Sequence, residues 1–183
     1  LTKILPASLS TLALQASFEQ TDNQQRADLV RNIANLPTLK TLSIATIDYH
    51  RTDIIIEKGL NTLECFVSRR CKILKLKDIN QFLNPNKLEM FVMKSQFFQE
   101  MAEREFARFL NNLRRFQCLY HLEISSIYIT DISDDGSLVI DDILQMIFSL
   151  TRINYLLLEN IGIERLKNRT QKMDHINRIL KYI

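Results

Sequence analysis

Leu119-Tyr-His-Leu122-Glu-Ile124-Ser-Ser-Ile127 places apolar residues at its first, fourth, sixth and ninth positions. The phrase returns as Leu39-x-x-Leu42-x-Ile44-x-x-Ile47 and as Ile153-x-x-Leu156-x-Leu158-x-x-Ile161. Looser copies are Leu9-x-x-Leu12-x-Leu14, Cys71-x-x-Leu74-x-Leu76-x-x-Ile79 and Leu88-x-Met90-x-x-Met93. Such recurrence decides the fold, because a repeated phrase marks one structural unit used several times. Within the phrase the period is two. Leu122 and Ile124 share one side, while His121, Glu123 and Ser125 take the other, as in a β-strand. One strand with one apolar face cannot bury that face alone. Strands stacked side by side, with helices returning behind them, bury a continuous core. The expected architecture is therefore a solenoid.

The fourth phrase residues Leu12, Leu42, Leu74, Leu88, Leu122 and Leu156 are 30, 32, 14, 34 and 34 residues apart. Most spacers are long enough for a helix. Thr21 or Asp22 caps a helix with Leu29, Val30 and Ile33 on one face. Thr52 opens a second, in which Ile56, Leu60, Leu63 and Phe66 recur at helical intervals. A third runs from about Phe98 to Arg115, with Phe106, Phe109, Leu110, Leu113 and Phe116 as its apolar stripe. Ser137 caps a fourth that turns Ile143, Leu144, Ile147 and Leu150 inward. The short gap between Leu74 and Leu88 leaves Asn80–Asn86 as a tight loop without a helix. Met173, Ile176, Leu180 and Ile183 predict a C-terminal capping helix over 164–183, laid across the open end of the stack.

Leu-x-x-Leu-x-Leu-x-x-Ile resembles the leucine-rich repeat, and the long spacers resemble the strand–helix units of ribonuclease inhibitor and F-box leucine-rich proteins. The resemblance covers roughly residues 9 to 161. It departs from the family at the ninth position, where Asn or Cys is usual and Ser17, Ile47, Ile79, Met93, Ile127 and Ile161 stand instead. It implies one α/β domain over residues 1–183. The expected fold is an irregular leucine-rich-repeat solenoid, a horseshoe with a parallel concave sheet and convex helices. It also implies a recognition module, as in a ubiquitin-ligase receptor or an innate-immune sensor.

Composition fits one globular core: 46% hydrophobic and 25% charged residues, with only three glycines and three prolines. Few turn formers argue against an all-β fold of tight hairpins. No segment reaches the roughly 18 apolar residues of a membrane span. The chain opens on Leu1 rather than Met and is expected to be a fragment or processed product of a longer protein. An odd number of cysteines (Cys65, Cys71, Cys118) favours a reducing compartment, so an intracellular location in cytoplasm or nucleus is expected.

Catalytic signatures are missing. There is no P-loop, no G-x-G-x-x-G, no G-x-S-x-G and no H-E-x-x-H, and His50, His121 and His175 are isolated. No Cys-x-x-Cys pair offers a zinc site. A non-enzymatic chain without metal or cofactor is expected.

The phrase alignment sends alternate residues to the concave face. Its rows include Lys75 and Lys77, then Glu89 and Phe91, then His121 and Glu123, and finally Tyr155, Leu157 and Glu159. These nine form the expected partner site. Phe91, Tyr155 and Leu157 act as apolar anchors, and the charged residues set orientation. The expected partner is a protein. The alternative is nucleic acid, bound through Arg104, Arg108 and Arg115 on one helix face and through the C-terminal segment. That segment carries Arg165, Lys167, Arg169, Lys172, Arg178 and Lys181 against Glu164 and Asp174.

Overall fold

A computed structural model of the protein describes residues 6–17, 21–47, 52–55, 59–74, 76–94, 99–131 and 137–163. Strands and helices alternate along the chain: β1 (Thr11–Ala16), α1 (Asn23–Ala34), β2 (Thr41–Thr46), β3 (Thr52–Ile55), β4 (Cys65–Arg69) and β5 (Cys71–Leu74). A 3₁₀ turn (Leu76–Asp78) leads into α2 (Ile79–Phe82). Then come β6 (Met90–Lys94), β7 (Gln99–Ala102), α3 (Glu103–Leu113), β8 (His121–Thr130), α4 (Ser137–Ser149) and β9 (Tyr155–Ile163). The fold is α/β, and every strand pair is parallel. The main sheet has seven strands and runs β1-β2-β4-β6-β8. β9 lies along β8, and β7 pairs with the second half of β8 beyond the end of β6. β3 and β5 form a separate two-stranded sheet.

The register supplies the repeat. Leu12, Leu42, Phe66, Phe91, Leu122 and Leu156 stand side by side across the sheet, and so do Leu14, Ile44, Ser68, Met93, Ile124 and Leu158. Both rows face the helices. There they join Val30 and Ile33 of α1, Phe106, Phe109, Leu110 and Leu113 of α3, and Ile143, Met146 and Ile147 of α4 in one core. Phe66 and Phe91, neighbours in the first row, stack with ring centroids 5.9 Å apart.

This register corrects two phrases. The third is Leu63-x-x-Phe66-x-Ser68-x-x-Cys71, not Cys71-x-x-Leu74-x-Leu76-x-x-Ile79. The fourth is Leu88-x-x-Phe91-x-Met93. All seven of these residues are buried. The fourth-position spacings become 30, 24, 25, 31 and 34, and the 14-residue gap disappears. A core position asks for apolar volume rather than for leucine, and two phenylalanines meet that demand.

Four strands of the main sheet, β2, β4, β8 and β9, begin the same way. A three-residue turn returns an N–H to the preceding apolar residue's carbonyl: Leu39 to Leu36, Leu63 to Leu60, Leu119 to Phe116 and Ile153 to Leu150, at 3.1–3.4 Å. The expected helix from Thr52 to Phe66 is therefore wrong. Leu60, Leu63 and Phe66 recur every three residues because they form such a turn and the strand after it. β3 occupies part of that span, in keeping with the β-branched run Ile54-Ile55-Ile56.

The first helix follows its local signal, whereas Ser137, expected to cap the fourth, is the first residue within α4. Asp22 caps α1, its Oδ1 accepting from Gln25 N–H at 2.7 Å while Gln25 Oε1 accepts from Asp22 N–H at 3.1 Å. α3 starts at Glu103 rather than near Phe98, because Gln99–Ala102 serve as β7. Gln99, buried, donates from Nε2 to the Ile73 carbonyl at 3.0 Å and ties β7 to β5. The loop expected over Asn80–Asn86 contains most of α2, with Ile79 and Phe82 buried. The capping helix expected over 164–183 lies outside the described residues.

Left-handed backbone recurs at one point of the repeat. Arg70 (φ 61°) separates β4 from β5, Ser126 (φ 63°) interrupts β8, and Asn160 (φ 54°) interrupts β9. The next residue in each case, Cys71, Ile127 or Ile161, is buried at the ninth phrase position. Non-glycine residues rarely adopt this conformation, so the shared corner is held by the packing on either side of it.

Ser68 is the one polar residue in its core row. It is 1% exposed and its Oγ has no hydrogen-bond partner. A buried hydroxyl without a partner costs about 1–3 kcal/mol. Ser68→Ala should therefore raise stability in denaturant titrations, by about 1 kcal/mol. A fall in stability would show that the hydroxyl does have a partner.

Candidate recognition surface

The register fixes the second face of the sheet as firmly as the first. Three rows point away from the helices. One is Thr11, Thr41, Cys65, Met90, His121 and Tyr155; the next is Ala13, Ser43, Val67, Val92, Glu123 and Leu157. The last holds Gln15, Ala45, Arg69 with Lys94 beside it, and Ser125 with Glu159 beside it. Exposure varies across this open face. β1 presents exposed side chains at Thr11, Ala13 and Gln15, whereas Val92, Glu123 and Ser125 are buried although they face away from the core. The face is thus most buried over β6 and β8. Its neutral, small-residue side lies over β1 and β2, and its large polar side chains stand over β6, β8 and β9.

Glu123 is the hub of the buried part. It is 8% exposed, and both carboxylate oxygens are engaged. Lys94 Nζ lies 2.5 Å from Oε2, and His121 Nε2 lies 2.9 Å from Oε1. The oxygens of an ionised carboxylate can only accept, so His121 donates from Nε2. Burial pushes the Glu123 pKa up, but the hydrogen bonds and charges of Lys94 and His121 outweigh it, and the net shift is downward. His121 stacks flat on Tyr155, centroids 4.3 Å apart and planes 16° from parallel. Tyr155 stays 45% exposed and Leu157 half-buried. A stacked aromatic pair, tied through His121 to the buried Glu123, therefore lies on this face with Tyr155 partly accessible. Beside it, Cys65 Sγ touches Met90 Sδ at 3.4 Å, and burial raises the Cys65 pKa.

Five of the nine residues expected at the partner site meet here: His121, Glu123, Tyr155, Leu157 and Glu159. Glu89 sits just before β6, on the rim. There Lys40, Glu64, Lys87 and Glu89 help line a groove of about 430 Å³, and Lys40 pairs with Glu64 at 2.9 Å. Phe91 is not on this surface; it is fully buried in the core. Lys77 is not there either. It lies in the 3₁₀ turn, pairs with Glu105 of α3, and belongs to the helical side. Lys75 falls outside the described residues. Sequence reasoning missed Cys65, Val67, Arg69, Met90, Val92 and Lys94. The signal was present: reading the phrase from Leu63 and Leu88 puts each of them on the open side.

On the helical side, Arg104, Arg108, Asn111 and Arg115 line a groove of about 700 Å³ along α3. Arg108 is held by Asp78 at 2.6 Å, and Arg114 beside them reaches Gln145 at 2.9 Å and Asp142 at 3.8 Å. These acids offset part of the positive charge. Among the described residues no group of three His, Cys, Asp or Glu side chains is placed to hold a metal ion. Nor is any described helix long and apolar enough to cross a membrane. The chain matches no family model, and no curated protein or solved structure is similar to it.

The Glu123 hub makes its own prediction. Removing Lys94 leaves a buried carboxylate with one partner. Lys94→Ala should cost about 1–2 kcal/mol at neutral pH, a modest figure because the lysine is itself partly exposed. A depressed pKa gives stability that is present above the carboxylate's unfolded pKa and lost as pH falls through the folded one. The penalty of Lys94→Ala should accordingly shrink in acid, as Glu123 takes up its proton. A second change, Glu123→Gln, should restore most of the loss at neutral pH. A cost independent of pH, measured by denaturant titration, would show that Lys94 acts by packing alone.

Proposed function

We propose that the chain is a leucine-rich-repeat-like solenoid whose open sheet face recognises a protein partner without catalysis, as the recognition part of a larger assembly. The observation that carries this reading is the exposed Tyr155, stacked on His121 and bordered by Leu157, beside a buried Glu123 that pairs with Lys94 and His121. Pre-organised aromatic side chains next to a desolvated charge are the usual anatomy of interface anchors. The rows of side chains repeat at strand spacing, which suits a partner that lies across several strands. Three free thiols, Cys65, Cys71 and Cys118, fit a reducing intracellular setting in cytoplasm or nucleus.

The test is capture from the native source with wild-type protein, Tyr155→Ala, Leu157→Ala and an Arg104→Glu/Arg115→Glu pair. The bound protein should be lost with the first two variants and kept with the third. With that partner purified, Tyr155→Ala should weaken binding by at least about 1 kcal/mol while the melting temperature holds. If only the arginine pair abolishes capture, and binding falls steeply with salt, the ligand is nucleic acid on α3 and the proposal fails.

A further inference from the structure

Five successive junctions of the main sheet share one backbone pattern. The carbonyl just ahead of a strand accepts from the two N–H groups that open the next strand. Ser10 accepts from Lys40 and Thr41, Lys40 from Glu64 and Cys65, Glu64 from Glu89 and Met90, Glu89 from Tyr120 and His121, and Tyr120 from Asn154 and Tyr155, all at 2.8–3.2 Å. Ser10 and Thr11 hold the equivalent donor places at β1, and among the described residues no strand pairs with its outer edge.

The edge is set up for a further strand. The carbonyls of Ser10 and Ala16 face β2, accepting from Thr41 at 3.0 Å and Ile47 at 3.2 Å. By the alternation of a parallel ladder, Thr11, Ala13 and Gln15 direct their N–H and C=O groups to the outer side. The core is also less closed here. Leu9, Leu12, Leu14 and Ala16 are only partly buried, whereas Leu39, Leu42, Ile44 and Thr46 of the next unit are at most 1% exposed. Sheet edges are commonly blunted by charge, proline or a bulge. β1, Thr-Leu-Ala-Leu-Gln-Ala, contains no charged residue and no proline, and pairs with β2 without a bulge.

We propose that the outer edge of β1 docks one parallel strand of another polypeptide carrying the same phrase. Its fourth- and sixth-position residues cover Leu12 and Leu14, and the carbonyl ahead of it accepts from Ser10 and Thr11. The surface is separate from the open face and does not depend on the reading given to that face. It would recognise its partner by backbone pairing, with the apolar alternation setting register.

A labelled peptide with the sequence of residues 36–47 is the probe. Pairing in this register turns the peptide N–H groups of Leu42 and Ile44 toward β1, and those of Thr41 and Ser43 away. Fluorescence anisotropy should show saturable binding of the plain peptide and of a version N-methylated at Thr41 and Ser43. N-methylation at Leu42 and Ile44 should weaken it at least about tenfold. Ala13→Pro in the protein removes one outward N–H and spares the β1–β2 ladder. It should weaken binding comparably, with an unchanged melting temperature. Equal affinities of the two methylated peptides, full binding to a folded Ala13→Pro, or no binding at millimolar peptide would each overturn the proposal. Should Ala13→Pro not fold, the two methylated peptides on the wild-type protein still decide.

Discussion

Phe91→Ala should destabilise the protein by about 3–5 kcal/mol, the range for deleting a buried phenyl ring. The residue is fully buried, sits at the fourth phrase position of β6, and stacks on Phe66 of β4 at 5.9 Å. Its loss opens a cavity between two adjacent strands, and Phe66 loses its ring contact. Unfolding in urea should show a lower midpoint with little change in slope. Phe91→Leu restores the residue type found at this position in β1, β2, β8 and β9, and should recover part of the loss. The alignment read from sequence places Phe91 on the open face, where its removal would weaken a partner and leave stability alone. An Ala variant as stable as wild type would support that alignment and break the register described here.

The same residue shows what could and could not be read in advance. Three phrases with apolar residues at all four positions, around Leu42, Leu122 and Leu156, were legible, and with them the parallel α/β arrangement and the inward faces of α1, α3 and α4. The two middle phrases were not. Ser68 breaks the apolar pattern of the true third phrase, while Cys71, Leu74, Leu76 and Ile79 happen to satisfy it in a stretch that is part strand, part 3₁₀ turn and part helix. A search for leucines favours the false frame; only tertiary packing shows that Phe66 and Phe91 fill the leucine row. An odd-numbered shift of frame exchanges a strand's two faces, and here the fourth position moved by three residues, from Leu88 to Phe91. Phe91 was thus assigned outward and Lys94 was overlooked, although Lys94 supplies one of the two partners of Glu123. His121, Glu123, Tyr155, Leu157 and Glu159 were found because β8 and β9 carry the phrase intact. Their mutual geometry, a histidine stacked on a tyrosine and bonded to a buried glutamate two residues along the strand, has no signature in spacing alone.

Truncating the leucine row one strand at a time should give a graded result. Leu42 and Leu122 are fully buried with a strand on each side, and Leu42→Ala or Leu122→Ala should each cost about 2–5 kcal/mol. Leu12 in β1 and Leu156 in β9 occupy the same phrase position but are only partly buried. Less surface returns to water when they are cut back, so each should cost about 1–2 kcal/mol. Ser43→Ala, on the open face of β2, should stay within about 0.5 kcal/mol of wild type. The gradient follows from strand neighbours: among the described residues β2 and β8 have strands on both sides, whereas β1 and β9 each flank one leucine-bearing strand. It also bears on the β1 edge. A strand docked there would bury Leu12 and should raise the cost of Leu12→Ala toward that of Leu42→Ala when the substitution is measured with saturating peptide. Equal costs at Leu12 and Leu42 in the isolated protein would mean that β1 is already packed on both sides.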